Sequence, residues 1–259
     1  MVIRGTDDVV EGTAAGVRYV ALPPTDDRTG DDRAGEDRAG EDRQPGDRVV
    51  LVWHLLGEPG NPRDMATALP LHGVDAWRVY PALPVTEPDP ARSDVVTSWY
   101  APLVESSVAA VPALLEHLRD ALGVNPGPVD LVGGSAGGHV ALLTAARGVT
   151  PVRRVAVVNP AVTAESVVAA STEHVGLRYE WSPEARRVAR ELDVSAHAPR
   201  WRTPLLVVRG EQEYPAFRPV QDALVDTVPD ARLVEVPGLA HMLVSHTHEV
   251  DAEVTAWLA

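Results

Sequence analysis

The residues with the clearest chemical potential lie in segment 133–137, Gly-Gly-Ser-Ala-Gly. A continuous apolar run over 129–132 predicts a buried strand before it, and an alanine-rich pattern over 140–147 predicts a helix after it. A serine at such a sharp strand-to-helix turn is held in a strained conformation with its hydroxyl exposed, and the flanking glycines avoid collisions there. We therefore predict that Ser135 is a nucleophile. The alternative is a glycine-rich turn that binds an anion or packs closely, although the segment lacks the glycine patterns of phosphate-binding and dinucleotide-binding loops.

A serine nucleophile needs a histidine to take its proton and an acid to orient that histidine. Both partners must follow strands, because the loops at the carboxyl edge of a parallel sheet meet in space. His241 follows an apolar pattern over 233–236, and Glu213 follows one over 205–208. The order serine, acid, histidine is the one expected when a Gly-x-Ser-x-Gly turn carries the nucleophile. The spacing therefore predicts a catalytic triad of Ser135, Glu213 and His241.

The composition excludes several other chemistries. The chain has no cysteine and no lysine, so thiolate nucleophiles, thiolate metal sites and Schiff-base chemistry are ruled out. A net charge of −14 argues against sequence-independent binding to nucleic acid, which requires basic side chains. The first residues show no apolar signal segment, and no apolar run is long enough to cross a bilayer. We expect a soluble, cytoplasmic protein that binds neither nucleic acid nor membrane; its oligomeric state is left open.

The remaining apolar patterns alternate between strands and helices. Further strands are predicted at 17–22, 49–53, 77–80 and 155–158, and helices at 62–69, 103–122, 219–228 and 249–258. This alternation is typical of a three-layer α/β fold with a mostly parallel, doubly wound sheet, here as a single domain over 1–259. The strand at 17–22 is predicted at the sheet edge. In the helix at 103–122, Pro112 should produce a kink or mark the true start.

Segment 26–48 is a near-repeat of units such as Asp-Asp-Arg-Ala-Gly, with nine acidic residues and five arginines. It has no large apolar side chain, so burial cannot offset the entropy lost on ordering it. We predict a disordered surface insertion with little function of its own. A mixed-charge binding tail is the alternative.

The chain resembles the α/β-hydrolase superfamily from about residue 17 to the C-terminus. Four segments carry the resemblance, namely the nucleophile turn 133–137, the acid-bearing strand and turn 205–213, the histidine loop 238–241 and the oxyanion segment 53–57. The resemblance implies that the backbone amides of Ala136 and Leu56 would hold the oxyanion that forms during acyl transfer.

Two positions depart from the family's pattern. The family's acid is usually Asp, whereas this chain has Glu213, so Glu211 and Glu165 stay open as alternative acids. The second departure is Leu55, where the family commonly has glycine; a bulky residue there narrows the entrance or changes the loop.

The resemblance also implies a small helical cap over 161–202, a segment with short helical patterns and no strand pattern. Its aromatic residues Tyr179, Trp181 and Trp201 either line a pocket for the acyl or alcohol group or fasten the cap to the sheet. Tyr214, next to the predicted acid, is expected at the border of the pocket.

The other histidines have more ordinary interpretations. His54 is expected to orient the oxyanion loop through a hydrogen bond, and His139 to be a packing or surface residue. His241, His246 and His248 could suggest a metal site, but their spacing across a loop does not enforce a ligand geometry. We therefore expect no metal and no cofactor.

Together these features favour a serine hydrolase that cleaves a carboxylic ester or thioester of a small molecule through an acyl-enzyme on Ser135. Two alternatives remain at this stage. The same triad could pass the acyl group to an alcohol or amine, giving transfer or cyclisation, or the fold could serve as a catalytically inactive binding module.

Overall fold

The computed structural model describes residues 3–4, 9–25, 47–85, 94–124 and 127–259. The predicted insertion 26–48 therefore lies outside the described residues except for its last two. Arg48, which ends it, donates hydrogen bonds to the Asp130 carboxylate at 3.1 Å and to the Leu258 carbonyl at 2.7 Å.

Nine strands of the described chain form one sheet in the order β1-β2-β3-β5-β4-β6-β7-β8-β9. The strands are β1 Ile3–Arg4, β2 Val10–Ala14, β3 Val17–Leu22, β4 Val49–Trp53, β5 Trp77–Pro81, β6 Val129–Gly134, β7 Val152–Val158, β8 Leu205–Gln212 and β9 Ala231–Ala240. All pairings from β5 to β9 across the sheet are parallel, while β1, β2 and β3 pair antiparallel. The predicted mostly parallel sheet is confirmed.

The prediction that 17–22 is an edge strand was wrong, because β2 and β1 lie outside it. Strand β2 reads Val-Glu-Gly-Thr-Ala and is buried only at its two ends. Such a short, polar segment lacks the apolar alternation by which a strand is predicted.

Seven α-helices of the described chain cover the sheet. They are α1 Pro62–Ala68, α2 Ala101–Leu122, α3 Ser135–Ala146, α4 Ala164–Val175, α5 Pro183–Leu192, α6 Arg218–Thr227 and α7 Thr247–Leu258. A π-helical turn, Val96–Tyr100, leads directly into α2. Because α2 begins at Ala101, Pro112 lies inside the helix and does not mark its start. No helix within the described ranges is long and apolar enough to cross a membrane.

The core lies on both faces of the sheet, which makes the fold three-layered. Strand β4 shows why, since all five of its residues are buried and alternate residues point to opposite faces. Leu51 and Trp53 pack in a cluster with residues of α2 and α3. Val50 and Val52 pack in a second cluster with residues of α1 and α7. The strand ends that carry the site thus belong to a sheet that is fixed from both sides.

Segment 161–202 contains α4, α5 and two short 3-10 turns. The Tyr179 hydroxyl donates to the Asp94 carboxylate at 2.6 Å, and the Ser182 hydroxyl reaches its other oxygen at 3.2 Å. The Trp181 ring packs edge-on against Tyr179, with ring centroids 5.0 Å apart. Trp201 is buried in the main core and is only 4% exposed. In the described chain, these aromatic residues fasten the segment to its surroundings.

Candidate active site

Ser135 stands at the junction of β6 and α3, with a backbone φ of +48°. This left-handed conformation is unfavourable for a residue with a side chain and persists only where the surroundings impose it. Here the surroundings are very close: a Cβ on Gly133 would lie 2.2 Å from the Gly137 carbonyl oxygen. Helix α3 starts at the serine itself, earlier than the predicted 140, because Gly137 and Gly138 weaken the helical sequence pattern.

The structure brings Ser135, His241 and Glu213 into contact. The Ser135 Oγ lies 3.0 Å from His241 Nε2, and His241 Nδ1 lies 2.7 Å from Glu213 Oε1. Since an ionised carboxylate only accepts hydrogen bonds, Nδ1 donates to Glu213 and Nε2 is left to accept the serine proton. All three residues are buried, with exposed fractions of 9% for Ser135, 3% for His241 and 5% for Glu213.

Of the three acids considered from sequence, Glu213 is the one in contact with His241. Its Oε1 also accepts the Tyr214 amide at 2.6 Å, and its Oε2 accepts Gln221 Nε2 at 3.1 Å. Glu211 is exposed and accepts the Gly238 amide at 2.9 Å. Glu165 is exposed in the first turn of α4.

Aromatic rings lie against the His241 imidazole. The Tyr214 ring stacks on it with centroids 4.4 Å apart and an interplanar angle of 21°, and the Phe217 ring does so at 5.0 Å and 22°. His174, at the C-terminal end of α4, stacks in turn on Tyr214 at 3.7 Å. Sequence reasoning anticipated Tyr214 near the site but missed Phe217, Gln221 and His174, because nothing in the local sequence pattern marks these contacts.

The loop after β4 is held by His54. The Leu83 amide donates to His54 Nε2 at 3.0 Å, so the ring proton is on Nδ1, which donates to the Leu55 carbonyl at 2.6 Å. Burial lowers the pKa of His54 below its ordinary value, because desolvation disfavours the charged ring. This confirms the prediction that His54 orients the loop through a hydrogen bond.

The same loop contacts both the nucleophile turn and the histidine loop. A Cβ on Gly137 would stand 2.4 Å from the His54 carbonyl oxygen, which shows how closely α3 approaches the loop. Leu55 fits because Gly134 has no side chain; a Cβ there would lie 2.3 Å from Leu55 Cδ1. On the other side, the Leu243 amide donates to the Glu58 carbonyl at 2.9 Å.

Within the described ranges, two backbone amides near this junction have no hydrogen-bond partner. The Leu55 amide is used by the Pro59 carbonyl at 3.0 Å, and no hydrogen bond to the Leu56 amide is found among the described residues. Helix α3 has no side-chain cap at its N-terminus, so the Ala136 amide is one of the unpaired donors of its first turn. Helix N-termini attract anions through such donors and through the helix dipole.

The remaining histidines have other partners. His139 is fully buried; its Nε2 donates to the Leu192 carbonyl at 2.7 Å, and its Nδ1 accepts the Tyr100 hydroxyl at 2.7 Å. Burial lowers the pKa of His139 to about 4. His246 interacts with the Ser245 hydroxyl at 2.9 Å. In the part of the chain that the structure describes, no group of three or more potential metal ligands is present.

Several solved structures have the same architecture as this chain. MGS-MChE2, an α/β-hydrolase enzyme from the metagenome of sediments of the Mar Chica lagoon, superposes with a TM-score of 0.57 at 15% identity, over 95% of this chain and 96% of that chain. The chain has the α/β-hydrolase fold. Est1E from Butyrivibrio proteoclasticus is similar with a TM-score of 0.66 at 14% identity, over 96% of this chain and 97% of its own. A further neighbour, a predicted CIB-like hydrolase from Thermoplasma acidophilum, gives a TM-score of 0.59 at 14% identity, over 96% of this chain and 97% of that chain.

The α/β-hydrolase fold is therefore shown by structure, as the sequence resemblance predicted. No protein-family model matches the chain, and no curated protein matches its sequence. Within the α/β-hydrolase fold, Ser135, Glu213 and His241 all lie at the carboxyl ends of parallel strands.

Proposed function

We propose that this protein is a serine hydrolase that cleaves a carboxylic ester or thioester through an acyl-enzyme on Ser135. The observation that carries the proposal is the continuous contact from Ser135 Oγ through the His241 imidazole to the Glu213 carboxylate, at 3.0 Å and 2.7 Å. A serine hydroxyl is a weak nucleophile unless a base removes its proton, and this contact supplies that base in the required tautomer.

In the first half-reaction, Ser135 Oγ attacks the carbonyl carbon while its proton passes to His241 Nε2. The resulting imidazolium is stabilised by the Glu213 carboxylate, which keeps its charge throughout. His241 then gives this proton to the departing oxygen or sulfur, and the alcohol or thiol leaves. The acyl group stays bonded to Ser135.

In the second half-reaction, water attacks the acyl carbon and gives a proton to the same Nε2. The Ser135 oxygen departs and takes that proton back, so the enzyme is regenerated and the free acid is released. In both halves, the carbonyl oxygen becomes negatively charged, and the amides of Ala136 and Leu56 are the proposed donors to it. Removing one such donor typically lowers the rate by about 10²–10³.

The substrate is proposed to be a small molecule. Est1E, one of the structural neighbours, has been solved with ferulic acid bound. A substrate screen for this chain therefore starts with feruloyl esters beside nitrophenyl esters of increasing acyl length. A cytoplasmic location is also proposed, from the sequence alone.

The test uses a fluorophosphonate probe, which reacts covalently with activated serines. Wild-type protein should be labelled and should hydrolyse at least one ester of the panel, whereas Ser135→Ala should do neither while unfolding at the same temperature. Ser98→Ala, in the π-helical turn, is the control for serine replacement and should be labelled like wild type. Failure of wild-type protein to react with the probe would refute the proposal, and analysis of the products would separate hydrolysis from acyl transfer.

A further inference from the structure

The tripeptide 159–161, Asn-Pro-Ala, directly follows β7 and is hydrogen-bonded to the surroundings of all three proposed triad residues. Asn159 is fully buried and has a φ of +45°, a conformation that Asn tolerates better than most residues. No sequence argument singled it out. It is neither acid, base nor nucleophile, and it makes no contact with the Ser135 hydroxyl among the described hydrogen bonds.

The Asn159 side chain joins the histidine loop to the strand that carries the acid. Its Nδ2 donates to the carbonyl oxygens of Ala240 at 2.8 Å and His241 at 3.0 Å. Its Oδ1 accepts the Gly210 amide at 2.7 Å. A side-chain amide offers two donors and an acceptor together, so both N–H groups and the oxygen of Asn159 have backbone partners here.

Gly210 in turn fixes the turn that presents the acid. The Glu213 amide donates to the Gly210 carbonyl at 3.1 Å, which closes the turn after β8. The buried side chain of Asn159 therefore links the backbone of His241 to the turn that carries Glu213. This link lies close to the contact between the His241 imidazole and the Glu213 carboxylate.

The backbone of the tripeptide reaches the other parts of the site. The Ala161 amide donates to the Ser135 carbonyl at 3.1 Å. The Pro160 carbonyl accepts Gln221 Nε2 at 3.0 Å, and the same Nε2 donates to Glu213 Oε2 at 3.1 Å. The surroundings of the three proposed triad residues, which follow three different strands, are thus joined through this one tripeptide.

We propose that Asn159 is a positioning residue for this site: its side-chain amide sets the distance from the His241 imidazole to Ser135 and Glu213. The inference rests on the proposed function. Its physical basis is that proton transfer between heavy atoms requires close placement, and a displacement of about 1 Å can cost about 10²-fold in rate. Loss of the amide frees the His241 backbone without removing any reacting group.

Two substitutions separate the side chain from the backbone conformation. Asn159→Gly keeps the positive φ, which glycine adopts freely, and removes all three hydrogen bonds. Asn159→Asp keeps the acceptor for Gly210 but places an oxygen where two carbonyl oxygens need a donor. Both variants should lose kcat about 10²-fold, with KM for a nitrophenyl ester changed less than about threefold.

A matched control distinguishes positioning from loss of stability. Val254→Ala removes methyl groups from the fully buried face of α7, away from the site. It should lower the unfolding temperature, as Asn159→Gly does, and leave kcat of the folded protein unchanged. A kcat for Asn159→Gly within about threefold of wild type, or an equal fall of kcat in Val254→Ala, would overturn the inference.

A spectroscopic measurement keeps this result separate from the proposed function. The proton shared by His241 Nδ1 and Glu213 should give a far-downfield proton resonance in wild-type protein, assigned by its loss in Glu213→Gln. In Asn159→Gly this resonance should broaden or disappear, and its persistence unchanged would refute the positioning role. If wild-type protein does not react with fluorophosphonate but the resonance still depends on Asn159, the proposed function fails and the positioning role stands.

Discussion

Gln221 on α6 donates a hydrogen bond from Nε2 to Glu213 Oε2 at 3.1 Å, and both residues are buried, with Gln221 fully so. The carboxylate is therefore held at both oxygens, by His241 and the Tyr214 amide on one and by Gln221 on the other. In the proposed triad, this second contact fixes the far end of a side chain that is one methylene longer than the aspartate usual in α/β-hydrolases.

Replacing Gln221 by the similarly shaped Met should lower kcat/KM about tenfold, because a hydrogen bond to a charged group contributes about 1.5–3 kcal/mol and only part of this acts in the transition state. Gln221→Glu should cost more, since it places a second carboxylate against Glu213. Ester hydrolysis measured at several substrate concentrations checks both. An unchanged kcat/KM in Gln221→Met would show that Glu213 is positioned without it.

Glu213→Gln should lower kcat by about 10³–10⁴, because an amide in this position no longer stabilises the imidazolium and can impose the wrong tautomer. Glu211→Gln should change kcat less than about threefold, since Glu211 is exposed and bonds to the Gly238 amide. The two residues form a matched pair for steady-state kinetics. If Glu211→Gln lowered kcat more than Glu213→Gln does, Glu211 would be the triad acid.

Gly137→Ala should reduce the rate of fluorophosphonate labelling by about 10²-fold or more, which is the effect of losing one oxyanion donor. The new Cβ would lie 2.4 Å from the His54 carbonyl oxygen, so α3 and the loop after β4 must separate. Gly138→Ala is the comparison, since its Cβ would stand 3.0 Å from Pro160. It should slow labelling much less; equal effects in the two variants would contradict the role of the Gly137 contact.

Stability should fall as the pH drops from about 6.5 towards 4, because burial lowers the pKa of His139 from its ordinary 6.5 to about 4. In this window the unfolded chain binds a proton at His139 and the folded chain does not, so acid favours unfolding. The contribution is about 2 kcal/mol at pH 5 relative to neutral pH. His54, whose pKa is also lowered by burial, acts in the same direction.

His139→Gln tests this assignment, because glutamine can donate to Leu192 and accept from Tyr100 without titrating. Urea unfolding at pH 7.5 and pH 5 should show a smaller loss of stability in the variant than in wild type. If both lose the same free energy of unfolding between these pH values, His139 does not carry the effect.

Tyr179→Phe should lower the free energy of unfolding by about 1 kcal/mol, because it deletes the hydrogen bond to the partly exposed Asp94 carboxylate. Burial acts to raise the pKa of Asp94, but hydrogen bonds from Tyr179, Thr97 and Ser182 together bring it below its ordinary value. The variant should also be cut faster by protease within 161–202, the proposed cap. Unchanged cleavage would mean that this bond does not hold the segment in place.

Sequence reasoning located each of the parallel strands β4 to β9, although β5 to β9 are longer than predicted. Strands β3 and β4 have the predicted bounds, α1 ends one residue before the predicted 69, and α6 begins and ends one residue before the predicted 219–228. Buried parallel strands are recognisable because both faces are apolar. Strands β1 and β2 were missed because short antiparallel strands beside the solvent need no such pattern.

The site was predictable in part for a related reason. Ser135 and His241 each follow a recognisable strand, so their meeting at one sheet edge follows from topology. The choice between Glu211 and Glu213 does not, because β8 is irregular between Gly210 and Gln212 and the side-chain alternation is broken there. Sequence reasoning could not identify Gln221, Phe217 or Asn159 as part of the site. Their roles come from contacts between segments that are far apart along the chain.

The rings of Tyr214 and Phe217 lie against the His241 imidazole, while Glu213 holds its Nδ1. In this arrangement the imidazole presents Nδ1 to Glu213 and Nε2 to Ser135. In the proposed reaction, every proton therefore enters and departs through Nε2. The leaving alcohol or thiol and the attacking water must therefore occupy the same position beside Nε2. Water can bind there only after the leaving group has dissociated.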